Sequence, residues 1–413
     1  MSSLYSLQEY TGEEDFIIAM DIGTTQSAVS FVHLVPGTTP QCKMVNHWPG
    51  QAQSRNAAKV PSAVSYRAGV LRNCGEAAIQ DLEAGNLDVA QWFKLHIHPL
   101  TMARPSSFVI PALPPGVSIE RAYMDMMKYL MNITQRFFER TTPDGNRIWT
   151  KLRDRMTIVL TTPNGWEDQE QAIIRTAAVR AGIVNWENVW QRLCFMAEAE
   201  AAVHYALKYY PQDWLERDTV FSVVDAGGST VDITVYRCVL AQPLSITEVC
   251  PGECAQAGGI FVNREVERLL SERLQGSPYD DPVIIRDMLD FFERKLKPVF
   301  DGNQSEYHIR FGGSTDTDES LRISKGIITL SLQELKVAFD KAVNPIIACC
   351  TNALKGHMPK YILLIGGFGE SPYLRQALEG SFRGAGVRVI GVGDYSRKAA
   401  ACVCLQLIDA HLE

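Results

Sequence analysis

Three observations predict an α/β fold in two lobes. A strand–glycine turn–strand motif occurs twice, a strand–diglycine–helix motif lies near the end, and the chain is too long for one core. In the first motif the apolar run Phe16 to Met20 leads into Asp21-Ile22-Gly23-Thr24-Thr25-Gln26. In the second, Val220 to Val224 leads into Asp225-Ala226-Gly227-Gly228-Ser229-Thr230-Val231-Asp232. Each turn then gives way to residues of high β-propensity, which is the pattern of a hairpin. Asp, Gly and a hydroxyl residue fall at matching offsets in the two copies. The third motif is the buried strand Tyr361 to Ile365, the turn Gly366-Gly367-Phe368-Gly369, and a helix after Ser371-Pro372. A chain of 413 residues exceeds what a single core usually serves.

Composition narrows the class. Apolar residues make up 46% and charged residues 21%, as in ordinary globular proteins. The net charge of -7 gives no electrostatic reason to expect nucleic acid or an anionic membrane as partner. No apolar run has the length of a membrane span. Residues 1–14 are polar and acidic, with no basic start or apolar centre, and are expected to be a flexible tail rather than a signal peptide. The ten cysteines supply only one pair at zinc-ligand spacing, Cys250 and Cys254, where a structural zinc site needs two. Free thiols in a reducing cytoplasm are the expectation.

The paired turns suit phosphate. Glycine lets the backbone approach an anion closely, successive N–H groups form an anion-binding concavity, and Thr or Ser hydroxyls add donors. An aspartate beside phosphate calls for a cation between them, and Mg²⁺ favours one or two carboxylates plus waters. Two such hairpins, rooted in Asp21 and Asp225, are therefore expected to clamp a nucleoside triphosphate with its metal.

The three motifs, in this order and spacing, resemble the actin, sugar-kinase and heat-shock-chaperone ATPase superfamily. The nucleotide-binding domain of the seventy-kilodalton heat-shock chaperones is the nearest likeness, in a divergent branch common in fungal genomes with Gly-Gly-Phe and Glu-Ser in the third motif. The resemblance covers nearly the whole chain from about Asp15. It implies an actin-like two-lobe ATPase fold, each lobe carrying a ribonuclease-H-like mixed sheet flanked by helices. Residues 15–212 would form lobe I, with 398–413 packing back on it as a helix, and 213–397 would form lobe II. ATP and Mg²⁺ are the implied ligands. Phosphate oxygens would meet Gly23, Thr24, Thr25 and Gln26 on one side and Gly227, Gly228, Ser229 and Thr230 on the other. Asp21 and Asp225 would hold the metal through water.

Further elements follow in chain order. Val60 to Tyr66 alternates as a strand, and Gly75-Glu76-Ala77-Ala78 starts a helix. Gln91-Trp92-Phe93-Lys94-Leu95 matches the family segment whose lysine points at the γ-phosphate. Taken by itself, Lys94 reads as a surface lysine lying along its apolar stem. Ser118, Glu120 and Arg121 open a helix to about Arg140, whose apolar residues Tyr123, Met126, Met127, Leu130 and Phe138 are core. Asp144-Gly145 is a turn. Met156 to Thr162 is a strand and Trp166 to Ala181 a helix. In Leu193 to Ala202 the family places a key glutamate. Glu198 takes that position, Glu200 stands two residues on, and residues two apart do not share a helix face.

The chaperones have a proline where this chain has Ala199, and an acidic residue where it has Ile260 in the turn Gly258-Gly259-Ile260. Both substitutions put chaperone-style coupling in doubt. The charged helix Phe291 to Lys297 corresponds to one whose glutamate and lysine hold ribose and adenine, which assigns Lys297 and Lys295. The alternative is a solvated amphipathic face. Ser331 and Glu334 fit a capping box. Gly366 and Gly367 permit close approach to the nucleotide. Phe368 stands where the chaperones have serine, with a ring face that could serve adenine.

The chain ends near where the ATPase module would end, leaving no expected peptide-binding domain. Three readings follow: an ATP-hydrolysing module that engages a partner protein, an enzyme that phosphorylates or activates a small molecule in the same cleft, and a nucleotide-binding module without turnover. Asp21, Thr24, Lys94, Glu198, Asp225 and Thr230 are all present, which argues against the third.

Overall fold

The computed structural model describes residues 9–51, 58–85, 88–97, 109–164, 166–209, 214–241 and 244–392. It divides after residue 212 into two compact units. The expected helix at the C-terminal end lies outside the described residues, as does most of the N-terminal tail.

The first unit opens with β1 (Asp15–Ile22), β2 (Gln26–Leu34) and β3 (Cys42–Met44). Then come β4 (Lys59–Pro61), β5 (Ala63–Arg67), β6 (Val70–Cys74), α1 (Glu76–Glu83) and β7 (Val89–Gln91). After the 3₁₀ turn Phe93–His96, the next elements among the described residues are α2 (Ile119–Thr141), α3 (Gly145–Leu152) and β8 (Thr157–Thr162). The unit ends with α4 (Asp168–Arg180), α5 (Val189–Arg192), β9 (Leu193–Ala197) and α6 (Glu198–Tyr209).

Its main sheet runs β3-β2-β1-β8-β9, with β4 also pairing β2. The hairpin β1–β2 is antiparallel, whereas β1, β8 and β9 are parallel neighbours. Central β1 is covered on both faces, which explains its unbroken apolar run. Ser118 caps α2 by accepting from the Arg121 N–H at 3.2 Å. That helix buries Tyr123, Met126, Met127, Leu130 and Phe138. Phe138 meets Phe16 edge-on, with centroids 4.9 Å apart.

Two expectations need correction. Val60 to Tyr66 is not one strand: β4 and β5 part at Ser62, whose N–H donates to the Thr25 carbonyl at 2.9 Å. They belong to different sheets. Asp144-Gly145 is not a free turn either, because Gly145 begins α3 and sits where a Cβ would meet the Glu139 backbone at 2.8 Å.

The second unit repeats the plan. It contains β10 (Val220–Ala226), β11 (Val231–Leu240), β12 (Ser245–Ala255), α7 (Gly259–Leu274) and α8 (Pro282–Phe291). After these come β13 (Glu306–Arg310), β14 (Ile323–Ser324), β15 (Ile327–Ser331) and α9 (Leu332–Ala353). Last are β16 (Tyr361–Ile365), α10 (Pro372–Phe382) and β17 (Arg388–Gly391). The sheet order β12-β11-β10-β16-β17 is that of the first unit, with an antiparallel hairpin beside two parallel strands. The polar stretch after Asp301 leads into a separate three-stranded sheet, β13-β15-β14.

The Ser331–Glu334 capping box forms at the start of α9. Phe339 on that helix stacks on Phe300 at 4.2 Å. Between α8 and Phe300 the chain is not a plain helix: Phe292–Leu296 is a π turn and Lys297–Val299 a 3₁₀ turn. Among the described residues, no helix is long and apolar enough to cross a membrane.

Candidate functional site

In each unit the hairpin turn closes in the same way. Gly23 N–H donates to the Gln26 carbonyl at 3.1 Å, and Gly227 N–H donates to the Thr230 carbonyl at 2.8 Å. A Cβ on Gly23 would lie 2.5 Å from that carbonyl oxygen, so the tight turn requires glycine. Asp21 and Asp225 each stand two residues before these glycines, at the carboxyl ends of β1 and β10. In open α/β sheets that end is where ligands bind.

The first unit gathers its chemistry at the carboxyl ends of β1, β8 and β9. Met20 pairs with Leu160 across β1 and β8, and Thr162 pairs with Ala197 across β8 and β9. Asp21, Thr161 and Glu198 are therefore brought to one edge. Thr161 Oγ1 donates to Asp21 Oδ1 at 3.1 Å. Trp92, in a left-handed conformation at φ 53°, turns the chain so that Lys94 points inward on the 3₁₀ turn.

Lys94 is buried, and its Nζ donates to Glu198 Oε1 at 2.8 Å. Glu198, not Glu200, is the carboxylate that meets this lysine. The Trp166 ring centroid lies 5.5 Å from the same ammonium. Burial pushes the Lys94 ammonium down, but the opposing pull of Glu198, Tyr123 and Asp21 outweighs it and holds the group above the ordinary lysine value. Lys94 is thus a buried, fully charged cation rather than a surface lysine.

The second unit builds its turn from three backbone segments. Gly259 N–H donates to the Gly227 carbonyl at 3.2 Å, and Ile260 N–H to the Gly228 carbonyl at 2.9 Å. The start of α7 is thereby held against the hairpin. A Cβ on Gly258 would lie 2.7 Å from Gly227 O and Gly228 C. Gly366, at φ +87°, takes the left-handed region, and a Cβ there would also run into Asp225 Oδ1. Gly367 faces open space. Ser229 Oγ is buried with no hydrogen-bond partner among the described residues.

Lys297 joins this turn. Its Nζ donates to Asn263 Oδ1 at 2.9 Å and lies 3.1 Å from where a Gly259 Cβ would be. Burial, only partly opposed by Glu293 at 3.8 Å, lowers its pKa. Lys295 points elsewhere, lining an open hollow of about 480 Å³ with Arg294 and Arg310. Of the two lysines, only Lys297 reaches the Gly258–Gly259 turn. Phe368 departs from expectation: its ring is 3% exposed and lies 6.4 Å from Phe339, so it is core and offers no face for a base.

Reasoning from sequence missed Thr161, Trp166 and Asn263 as site residues. Thr161 could have been found from its place at the carboxyl end of the strand expected over Met156 to Thr162. Among the described residues no cluster of three or more His, Cys, Asp or Glu could hold a metal by itself. A hydrated Mg²⁺ shared with phosphate does not need one.

No protein-family model matches the chain. It is similar to human heat shock 70 kDa protein 12A, at 21% identity over an alignment 455 positions long, covering 89% of this chain and 65% of that protein. It is also similar to the mouse protein of the same name, at 22% identity over 303 residues, covering 54% of this chain and 44% of that protein. The chain spans less than two-thirds of the length of either relative. With the repeated α/β sheets, this distant likeness supports a place in the Hsp70-like, actin-like ATPase superfamily, and an ATPase-domain-like nucleotide-binding module.

Proposed function

We propose that this chain binds ATP with Mg²⁺ and transfers or hydrolyses its γ-phosphoryl group. The observation that carries the reading is the buried Lys94–Glu198 pair beside the Gly23 hairpin. A charged lysine without exposure to water is an expensive arrangement, and strongly perturbed groups of this kind cluster at functional sites. The distant likeness to an Hsp70-family protein supports ATP as the nucleotide.

The residues present fit the metal. Ser229 Oγ is an orphaned polar atom at one turn, and Gly258 and Gly366 keep Cβ atoms out of the cradle. Asp21 in the first unit and Asp225 in the second each stand behind a glycine turn as a carboxylate that would hold Mg²⁺ through water, and the ion would neutralise charge on phosphate oxygens. The N–H groups of the two turns bind phosphate, with Thr24 and Thr230 adding hydroxyl donors. Lys94 stabilises charge on the transferred group. Glu198, released from Lys94, orients the attacking water or substrate hydroxyl. Thr161 fixes the Asp21 carboxylate. Lys297, beside the start of α7, adds positive charge where the helix already favours an anion.

A second reading, an ATP-dependent enzyme acting on a small molecule, is favoured by two positions. Ala199 and Ile260, where the chaperones carry a proline and an acidic residue, are 6% and 7% exposed and carry no polar group outward. The test follows ATP turnover, by phosphate release and mass spectrometry, for the wild type, Lys94→Ala and Asp225→Asn. Each is assayed alone, with a small-molecule extract and with an unfolded model protein. Lys94→Ala is expected to lose turnover while ATP affinity stays within about tenfold. Wild-type turnover in that variant would sink the role of Lys94. A new metabolite formed only with extract would establish the second reading.

A further inference from the structure

Tyr123 is a core residue by its ring and an anomaly by its hydroxyl. The side chain is 1% exposed, the ring meets Phe93 edge-on at 5.0 Å, and Oη has no hydrogen-bond partner among the described residues. Buried hydroxyls are nearly always satisfied. This one borders a small, partly open hollow of about 10 Å³, whose wall also includes Lys94, Thr161 and Trp166. That volume is on the scale of one water molecule, and a water there needs two to four polar partners. The wall offers them, within a rim of Met20, Ile22, Leu160 and Ile174.

We propose that the hollow binds a single water that links Tyr123 and Lys94 to Thr161, and through Thr161 to Asp21, making Tyr123 a positioning residue for Lys94. The donors and acceptors balance. Lys94 has three N–H donors and commits one to Glu198. A second N–H and the Tyr123 O–H both donate to the water oxygen. The water donates to Thr161 Oγ1, which keeps acceptor capacity because its own proton goes to Asp21. Burial, only partly opposed by Lys94, pushes the phenol pKa up, so Tyr123 stays a neutral donor. When Glu198 turns to its water, Lys94 keeps this second anchor. The proposal rests on the phosphoryl-transfer reading only for that consequence in turnover.

The test measures exchange of the Lys94 Hζ protons with water, by ¹⁵N-lysine NMR on the full chain, with the signal assigned by its loss in Lys94→Arg. Tyr123→Phe keeps the ring packing, and Thr161→Val breaks the other end of the relay. Exchange is expected to rise about tenfold in both, the factor for one hydrogen bond of ~1.4 kcal/mol. Tyr66→Phe removes a different buried hydroxyl, bonded to Asp125 at 3.1 Å, and is expected to leave Lys94 exchange unchanged. Unaltered exchange in Tyr123→Phe overturns the proposal, and so does equal acceleration in Tyr66→Phe, which would mean general loosening. In turnover, Tyr123→Phe is expected to lower kcat with KM for ATP within about twofold. Absence of turnover in the wild type would sink the ATPase reading and leave the exchange result to decide the relay.

Discussion

Glu198→Gln is the most informative perturbation of the Lys94 pair, because it removes a charge and almost no volume. Lys94 keeps 6% of its side-chain surface and Glu198 19%. Removing one partner of a buried ion pair costs about 3–5 kcal/mol. The partial exposure of Glu198 trims this to roughly 2–3 kcal/mol. In a unit of this size about 2–4 °C of melting temperature accompany each kcal/mol, so the melting of the first unit is expected to fall by about 5–10 °C at pH 7.

The dependence on pH separates an ionic loss from a steric one. The folded-state pKa of Lys94 lies above its ordinary value. Its contribution to stability is therefore complete below about pH 10.4 and is lost as the pH rises through the folded value. Without Glu198, burial is opposed only by Tyr123 and Asp21, and the folded value is expected to fall below the unfolded one. The resulting penalty is full at pH 7 and shrinks as pH climbs toward the ordinary lysine range. Thermal melts of both proteins at pH 7 and near pH 10 should show the gap closing. A variant that melts within about a degree of wild type at pH 7, or a gap that persists unchanged near pH 10, would refute the reasoning.

Two further outcomes test the second unit. Lys297→Met is expected to weaken ATP binding about tenfold by calorimetry, while Lys295→Met stays within about twofold, since only Lys297 reaches the Gly258–Gly259 turn. Gly258→Ala would force a Cβ to 2.7 Å from three backbone atoms of the hairpin. It is expected to cost about 1–3 kcal/mol, seen as a lower melting temperature of the second unit together with weaker ATP binding.

The hairpins were legible because glycine chemistry is local. Asp21 and Asp225, each two residues ahead of the glycine that closes its hairpin, announce the turn without any knowledge of the rest of the chain. The Lys94–Glu198 contact was not legible from the residues themselves, since it joins positions 104 apart. Only the likeness to known ATPases drew attention to both. Tyr123 was read correctly as core from its helical spacing, but periodicity describes the ring and is silent about where a hydroxyl ends up. Phe368 misled for the opposite reason. An aromatic beside a glycine turn suggests a platform for a base, yet the ring turns into the core of α9. The boundary at Ser62 escaped notice because alternating apolar residues look alike in one strand and in two.

The π turn at Phe292–Leu296 carries a consequence for how this segment is compared with its relatives. An α-helix advances by about 100° per residue, so one additional residue in a turn moves every later side chain about a quarter of the way round the axis. Here that offset delivers Lys297, rather than Leu296, to the asparagine on α7. A relative with an unbroken helix would present its lysine one position earlier, and an ungapped comparison would set that lysine opposite a leucine. Loss of this functional group would then be inferred where the chain had merely wound its helix differently. Deleting one residue between Phe292 and Leu296 should turn the lysine away while leaving the composition of the segment almost unchanged.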